Sequence, residues 1–446
     1  MKITLLFLLI TCIHSSLFSQ VENISDNTFY TDSSFNVLCN GEFTWFYENG
    51  QLGEKEYYLN GKLQGEYFSY NEDGSINYQA IYFNGELNGI SIWYYDDGKI
   101  HFTSLYINGL LSGESIYYDT NNKIELKENY VNNLLNGLTT SYYDSGELKE
   151  KKFYKDGKLE GENISYYRNG QISRTVNYKN DEPNGNFVLY FENGQVKNKG
   201  TYKNDEQEGE SIWYYESGKI SNKTIYSHGK AIGEFISYHE NGKIESKGQN
   251  KNGQISGEWT YYDSIGKIIG RKNYVNGLQN GLEIKYYPSG KIKESKMFSN
   301  AEIKGDVIQY YENGNIYEKC QYIDNLKQDT LFRFYKNGKL FYKENYKNGI
   351  RQGDASWFYK NGQLFFTMKY EKNLKQGEFT SYDKKGNMST KGHFLFDEMN
   401  GEFFSYHKNK ALAYKAYFKK GIVLGEEINY NKEGVKVTLV NAKCKK

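Results

Sequence analysis

The sequence predicts an all-β protein, an elongated repeat array of about 17 stacked β-hairpins that form one long twisted antiparallel sheet. Three observations predict this fold. A block of 24 residues recurs from Gly41 onward without insertion or deletion. Each block has Gly, often as Asn-Gly, at two fixed places where a hairpin turn needs positive φ. The segments between these turns are about as long as ordinary strands and are rich in aromatic and β-branched residues.

Each block can be written as a repeat of positions 1 to 24, so that repeat 1 begins at Gly41 and repeat 13 at Asp329. Position 1 is Gly in every repeat except repeat 13, and position 6 is always aromatic, from Phe46 to Tyr430. Position 10 is usually Gly, position 12 is usually aliphatic, and position 18 is usually a second aromatic residue. The order strand, tight turn, strand, loop therefore defines one unit, and stability should accumulate from contacts between neighbouring units.

Side-chain alternation predicts two faces for each hairpin. In repeat 8, Ile212 and Tyr214 share one side of the first strand, and Ile220 shares a side of the second strand with Tyr226. We expect these four residues to form a structural column that stacks on the same column in neighbouring repeats. Residues of the opposite phase, such as Trp213, should line the other face. The Glu of each Gly-Glu pair should form a ladder that pairs with the plentiful Lys.

The first 19 residues have the pattern of a signal peptide. Lys2 is followed by an apolar run over Ile3–Ile13, which is too short to span a bilayer, and we expect cleavage near Ser19 and Gln20. Lipidation at Cys12 is the weaker alternative. We therefore expect an exported chain that is periplasmic, attached to the outer envelope, or secreted.

The remaining boundaries follow from the repeat. Residues 20–40 do not fit the 24-residue pattern and should cap the first repeat. Residues 41–434 form the array of 17 units, of which the last is degenerate, and residues 435–446 are a C-terminal tail. No later segment is apolar enough to predict a membrane span.

Composition and motifs argue against several classes of function. The net charge is +1, from 56 basic and 55 acidic residues, so no global field favours nucleic acid. The His residues are too scattered to form a metal site or a catalytic dyad, and no zinc, phosphate-loop or Ser-His-Asp spacing is present. The sequence thus predicts no enzyme, no metal site and no cofactor.

The repeat resembles the MORN repeat, and specifically its bacterial variant found in YwqK-type antitoxin-like proteins. The shared signature is Gly-Glu-x-x-x-Tyr-Tyr-x-x-Gly followed by Tyr-x-Asn-Gly-x-x-x-Gly, as in GESIWYYESG at 209–218 and YLNGKLQG at 58–65. The resemblance covers residues 41 to about 434. It implies successive β-hairpins in a meandering antiparallel sheet, and an antitoxin-like or immunity-like role.

Aromatic residues that vary from copy to copy are the candidate binding residues, because Tyr and Trp commonly anchor recognition surfaces. A purely structural role, in which they cover the sheet, is the alternative. The candidates are Trp45, Tyr47, Trp93, Tyr95, Tyr167, Trp213, Tyr215, Tyr287, Tyr311, Trp357 and Tyr359.

The sequence thus favours a non-catalytic, exported repeat protein with an extended protein-binding surface. A protein is the expected partner, with glycan or lipid possible. The alternative function is a structural or adhesive protein of the cell envelope that binds glycan or lipid.

Overall fold

The computed structural model describes Val21–Asn23, Thr28–Tyr30 and residues 38–437. The predicted signal peptide, which includes Cys12, residues 438–446 of the predicted tail and most of the predicted cap lie outside the described residues. Two short strands, Val21–Asn23 and Thr28–Tyr30, form an antiparallel pair of their own. The rest of the described chain consists of β-hairpins, and it divides into unit 1, which ends at Glu206, and unit 2, which begins at Gln207.

In unit 1, each repeat contributes a first strand, a second strand and usually a two-residue strand after the second turn. The first strands are Gly41–Phe46, Gly65–Tyr70, Gly89–Tyr94, Gly113–Tyr118, Gly137–Tyr142, Gly161–Tyr166 and Glu182–Tyr190. The second strands are Leu52–Leu59, Ile76–Phe83, Ile100–Ile107, Ile124–Val131, Leu148–Lys155, Ile172–Lys179 and Val196–Lys203. The short strands are Lys62–Leu63, Glu86–Leu87, Leu110–Leu111, Leu134–Leu135 and Lys158–Leu159, and a further short strand, Glu206–Gln207, begins at the last residue of unit 1.

Unit 2 continues the same pattern, and in five of its repeats the short strand merges with the next first strand. The first strands are Gly209–Tyr214, Lys230–Tyr238, Gln254–Tyr262, Gly281–Tyr286, Glu302–Tyr310, Leu326–Phe334, Ile350–Phe358, Gly377–Tyr382, Gly401–Tyr406 and Ile428–Tyr430. The second strands are Ile220–Ser227, Ile244–Lys251, Ile268–Val275, Ile292–Ser299, Ile316–Ile323, Leu340–Lys347, Leu364–Glu371, Met388–Leu395, Leu412–Lys419 and Lys436–Val437. The short strands are Leu278–Gln279, Leu374–Lys375, Glu398–Met399 and Ile422–Val423.

The predicted fold class is confirmed: the protein is all-β, with a sheet of repeated antiparallel hairpins, a period of about 24 residues and no closure. Both kinds of turn form as the Gly pattern predicts. Gly50, with φ of 84°, donates its N–H to the carbonyl of Tyr47 at 2.9 Å. Asn60 and Gly61, with φ of 51° and 74°, both lie in the left-handed region, as a type I′ turn requires.

The predicted structural column is wrong in one respect. Ile212 and Tyr214 do share a side, but Tyr226 pairs with Gly209 and Ser211 pairs with Thr224, so Tyr226 lies on the side of Trp213. The reason is a β-bulge at the hairpin end, where the pairing steps from Trp213↔Asn222 to Tyr214↔Ile220. A bulge breaks the alternation on which the sequence argument depends. Consistent with this, the side chain of Tyr58 is 2% exposed whereas that of Phe46 is 55% exposed.

We call the side formed by positions 3, 5, 14, 16 and 18 the aromatic face, and the side formed by positions 2, 4, 15 and 17 the charged face. The aromatic face contains most of the buried residues of both units. In unit 2 its core is apolar, with Ala355, Met368, Tyr370 and Phe379 in one cluster. In unit 1 the equivalent positions are often small and polar, as where the hydroxyls of Ser104 and Ser115 lie 2.9 Å apart.

The predicted Glu ladder on the charged face is confirmed for several repeats. Glu42 pairs with Lys55 at 3.1 Å and Glu402 with Lys415 at 2.7 Å. Equivalent pairs join Glu114 to Lys127, Glu210 to Lys223, Arg271 to Glu258, Lys319 to Asp306 and Lys391 to Glu378. All are largely exposed, so each contributes little to stability.

Asp329 gives a first testable prediction, because it is the one residue other than Gly at position 1 and has φ of 61°. A side chain in this region costs about 1 kcal/mol relative to Gly, somewhat less for Asp. We expect Asp329→Gly to raise the free energy of unfolding by about 0.5 kcal/mol, measured by urea denaturation of the full chain. Thr330→Gly, at the adjacent position within a strand, serves as control and should instead destabilise the protein.

Candidate functional site

The aromatic face carries a continuous series of ring contacts in unit 1. Tyr78 and Trp93, from neighbouring repeats, have ring centroids 4.2 Å apart. Phe102 extends the series, with centroids 5.8 Å from Trp93 and 5.4 Å from Tyr117. Because each ring belongs to position 5 or 14 of successive strands, the contacts tie one repeat to the next.

The candidate tryptophans lie on this face, and all are half-buried. Trp45 contacts Tyr47 with centroids 4.6 Å apart, and Trp357 lies against the apolar cluster of unit 2. Trp93 belongs to the ring series, and Trp213 occupies the equivalent position 5 of repeat 8. The structure therefore gives these tryptophans a role in covering the sheet, and their role in binding stays a prediction.

The candidate tyrosines at position 7 share a contact that sequence reasoning missed. Each hydroxyl donates a hydrogen bond to the backbone carbonyl of position 6 in the next repeat. The distances are 2.7 Å from Tyr47 and from Tyr95, 2.6 Å from Tyr167, Tyr215 and Tyr287, 2.8 Å from Tyr311 and 2.9 Å from Tyr359. Tyr or His recurs at position 7, and this recurrence was the sequence signal for the contact. A polar side-chain group that recurs in the repeats indicates a hydrogen-bond partner that recurs with it.

Position 7 leads to a second prediction. Tyr215→Phe keeps the ring and removes the hydrogen bond to Tyr238, so the carbonyl loses its partner. We expect a loss of about 0.5–1.5 kcal/mol in the free energy of unfolding, measured by urea denaturation. Tyr57→Phe, on an exposed side chain of the charged face, is the matched control and should change stability by less than about 0.5 kcal/mol. Equal effects of the two substitutions would contradict the assignment.

Between repeats 11 and 12, the aromatic face opens into a shallow pocket of about 450 Å³ at the hairpin ends. Two candidate residues, Tyr287 and Tyr311, line it. Its other lining residues are Lys285, Lys293, Glu294, Gln309, Tyr310 and Tyr317. The rings of Tyr311 and Tyr317 meet edge to face with centroids 5.1 Å apart, which fixes one wall. Among the candidate binding residues of the described chain, only Tyr287 and Tyr311 line this pocket or the second pocket beside Pro288.

Charge in this pocket is distributed unevenly. Glu294 accepts from Lys285 at 3.0 Å and from Gln309 at 3.2 Å, and it also pairs with Lys296 at 3.1 Å. Burial alone would raise the pKa of Glu294, but the hydrogen bonds from Lys285 and Lys296 hold it below its ordinary value. The carboxylate is therefore ionised and fully engaged.

Lys293 is the remaining cation of the pocket. It is exposed, and its ammonium lies 5.8 Å from the ring centroid of Tyr287. It forms no ion pair with any residue that the structure describes. A positive group beside three tyrosine rings can receive a carboxylate or amide side chain from another molecule.

A second pocket, of about 390 Å³, lies beside Tyr286 and Pro288. Its two cationic side chains already have partners. The Lys267 ammonium donates to the carbonyl of Pro288 at 3.0 Å, and Arg271 pairs with Glu258 at 3.5 Å. The pocket between repeats 11 and 12 is thus the better candidate site.

Another group of titratable side chains lies on the aromatic face of repeat 1. Tyr58 donates a hydrogen bond to Glu56 at 3.1 Å, and Glu54 lies nearby on the same strand. Burial, followed by the negative charge of Glu54, raises the pKa of Glu56 to about 7. This carboxyl group is consequently half protonated near neutral pH.

The raised pKa of Glu56 predicts how stability changes with pH. Because the folded state binds the proton more tightly than the unfolded state, Glu56 penalises folding as pH rises from about 4.5 to about 7. At pH 8 we expect Glu56→Gln to raise the free energy of unfolding by about 1–2 kcal/mol, a value reduced for the partial exposure of the side chain. At pH 4 the substitution should have little effect, and a gain of the same size at both pH values would contradict the prediction.

Residues 38–437 contain no group of three or more His, Cys, Asp or Glu side chains that could hold a metal ion. In that same part of the chain, Cys39 and Cys320 are buried free thiols. No helix of the described chain is long and apolar enough to cross a membrane.

Comparison with protein families finds one repeated match. The family model described as MORN repeat variant matches more than half of the chain, at 40–60, 63–84, 87–108, 111–132, 135–156, 159–180, 183–204, 207–228, 232–254, 279–300, 304–324, 330–348 and 351–372. Curated protein sequences give no match.

Among solved structures, the chain is similar to a complex titled TcdB2-TccC3-Cdc42, with 9% identity and a TM-score of 0.15. The match covers 94% of this chain and 30% of the other. It is also similar to the Photorhabdus luminescens Tc holotoxin pore, with 10% identity, a TM-score of 0.16, and coverage of 87% and 23%. The chain thus spans about a quarter to a third of the length of these solved chains.

Proposed function

This chain belongs to the MORN repeat variant family, and on that premise we propose that it is a non-catalytic repeat protein whose sheet provides a protein-binding surface. The observation that supports this function best is the pocket between repeats 11 and 12, which is lined by Tyr287, Tyr311 and Tyr317 together with Lys293, whose ammonium lies beside the ring of Tyr287. Aromatic rings around a charged group are typical of binding hot spots. An antitoxin-like role in the cell envelope, in which the chain neutralises another protein by contact, is the specific form of this proposal.

The array suits this role because neighbouring repeats hold one another rigidly. Tyr287 is fixed by its hydrogen bond to the carbonyl of Tyr310, and Tyr311 is fixed by its hydrogen bond to Phe334. A preformed site loses little conformational entropy on binding. We propose that the partner inserts an acidic or amide side chain against Lys293, with its flanking residues on the tyrosine rings.

Lysine at position 13 offers a matched control. Lys149 in repeat 5 lies 6.0 Å from the ring centroid of Tyr143, an arrangement close to that of Lys293 and Tyr287, yet it lines neither the pocket between repeats 11 and 12 nor the pocket beside Pro288. Capture of partners from an envelope extract should therefore be repeated with Lys293→Glu and with Lys149→Glu. We expect the Lys293→Glu variant to lose one specific captured protein and the Lys149→Glu variant to keep it. If both variants capture the same proteins, the assignment of the site is contradicted.

A structural or adhesive role that binds glycan is the second candidate, because tyrosine rings beside Gln309 and Glu294 could also receive a sugar. A screen of immobilised glycans with the full chain separates the two. Binding of a glycan that is lost in Lys293→Glu, without any specific captured protein, would favour this second function.

A further inference from the structure

The charged face of repeats 2 to 5 in unit 1 carries a group of exposed apolar side chains, which we call the apolar patch. Its members occupy positions 2, 17, 19 and 22, which all lie on the same side of the sheet. They are Ile81, Phe83, Ile90, Ile107, Leu110, Val131, Leu134, Leu138 and Phe153, each between 39% and 54% exposed. An exposed apolar group of this size marks an interaction surface.

The patch is continuous across its strands. Ile107 pairs with Leu110 and Val131 with Leu134 across their turns, and Leu138 pairs with Phe153. Neighbouring repeats also meet, since Ile81 covers the backbone of Gly89, where an added Cβ would lie 2.9 Å from the Cβ of Ile81. The nine side chains therefore lie on one side of consecutive hairpins.

Within this surface the charged ladder is interrupted at repeats 3 and 5, and it persists at repeat 4 through Glu114 and Lys127. In unit 2, position 2 commonly holds an acidic residue paired with the base at position 15, as in Glu378 with Lys391. In repeats 3 and 5, Ile90 and Leu138 take that position instead. Ile90 and Leu138 remain 54% and 44% exposed, so about half of each side chain is available to a partner.

Charges of opposite sign lie at the two ends of the patch. Glu66 and Glu86 are exposed at the repeat 2 end, and Lys155 and Lys158 are exposed at the repeat 5 end. None of the four forms an ion pair with another residue of the described chain. A surface with one acidic and one basic end is complementary to itself when a copy is turned by a half rotation.

We propose that the apolar patch binds a second copy of this chain, in an antiparallel arrangement about a twofold axis between repeats 3 and 4. Ile107 and Leu110 then pack on Val131 and Leu134 of the partner, and Glu86 faces Lys158 of the partner. Four hairpins extend about 38 Å, and the patch is about 13 Å wide, so the pair covers on the order of 1,000 Å² in total. That area reaches the lower limit for a specific interface. The surface is separate from the pocket of repeats 11 and 12.

Sedimentation velocity of the full chain, from about 1 to about 100 µM, tests the proposal. A reversible dimer is expected. Ile107→Asp combined with Leu134→Asp should weaken it at least about 100-fold. Ile323→Asp is the matched control, because Ile323 is 45% exposed at the same position 19 of repeat 12. It should leave the dimer unchanged.

Exchanging the charges of Glu86 and Lys158 tests the antiparallel arrangement. Both side chains are exposed, so their substitution should not prevent folding. Glu86→Lys should weaken the dimer about tenfold, and adding Lys158→Glu should restore it, because each contact then again joins opposite charges. A monomer at about 100 µM overturns the proposal. The proposal is also overturned if the double variant dimerises as weakly as Glu86→Lys alone. It is likewise overturned if the chain stays monomeric and binds lipid vesicles through Ile107 and Leu134.

Discussion

Replacing Gly248 with Val is expected to destabilise unit 2 by about 3 kcal/mol, one of the largest effects available in this chain. Gly248 lies at position 16 on the aromatic face, against the indole of Trp259 from the next repeat. A Cβ added there would lie 2.3 Å from Cδ2 and 2.4 Å from Cε2 of Trp259, distances that real atoms do not tolerate. The indole cannot move away freely, because only 6% of Trp259 is exposed. Urea denaturation followed by far-ultraviolet circular dichroism measures the loss.

A double substitution shows whether the indole causes the effect. Gly248→Val combined with Trp259→Ala should lose at least about 1 kcal/mol less than the sum of the two single losses, because the added valine fills space that the indole leaves. If the two losses are additive, backbone strain at Gly248, rather than contact with Trp259, determines which side chains fit at position 248.

Leu331→Ala should also cost about 2–5 kcal/mol, because it removes three carbon atoms from a fully buried site. Leu331 is 0% exposed at position 3 of repeat 13 and pairs with Glu344 across the hairpin. Leu326→Ala in the same strand is the control, since Leu326 is 48% exposed and its truncation should cost less than about 1 kcal/mol. Equal losses at the two leucines would contradict the assignment of the aromatic face as the core.

Hydrogen exchange distinguishes local from global loss in the Leu331→Ala protein. Stability in a repeat array depends on each repeat and its interfaces with its neighbours. The fastest-exchanging amides should therefore lie in repeats 12 to 14, while unit 1 keeps its protection. Uniform loss of protection along the chain would contradict this local description.

The period, the turns and the strand order could all be predicted from the sequence, because each depends on a residue that must recur. Gly at position 10 and Asn-Gly at positions 20 and 21 are needed wherever φ is positive, as at Gly50 and Gly61. The Glu–Lys ladder could be predicted for a similar reason, since both members recur on one side of adjacent strands.

The assignment of faces could not be made from the sequence alone. Alternation places Ile220 and Tyr226 on one side, but the bulge beside Trp213 shifts the second strand and carries Tyr226 to the other. A bulge has no fixed sequence signal, so counting residues across it fails. The recurrence of Tyr or His at position 7 pointed to a repeated contact, but the partner could not be identified from sequence, because the hydrogen bonds reach a backbone carbonyl 23 residues away.

The candidate site illustrates the same limit. Eleven aromatic residues looked alike in sequence, yet only Tyr287 and Tyr311 border the pocket between repeats 11 and 12. What distinguishes them is the set of neighbours that the stacking supplies: Lys293 from the same repeat as Tyr287, and Tyr317 from the same repeat as Tyr311. These neighbours meet only when consecutive hairpins pair.

Amide hydrogen exchange of the full chain, with and without its captured partner protein, tests the proposed function most directly. The pocket predicts that binding slows exchange in the strands around it, Gly281–Tyr286, Ile292–Ser299, Glu302–Tyr310 and Ile316–Ile323. The slowing should disappear in Lys293→Glu and persist in Lys149→Glu. Slowed exchange confined to other repeats, or the same slowing in both variants, would contradict a binding site at this pocket.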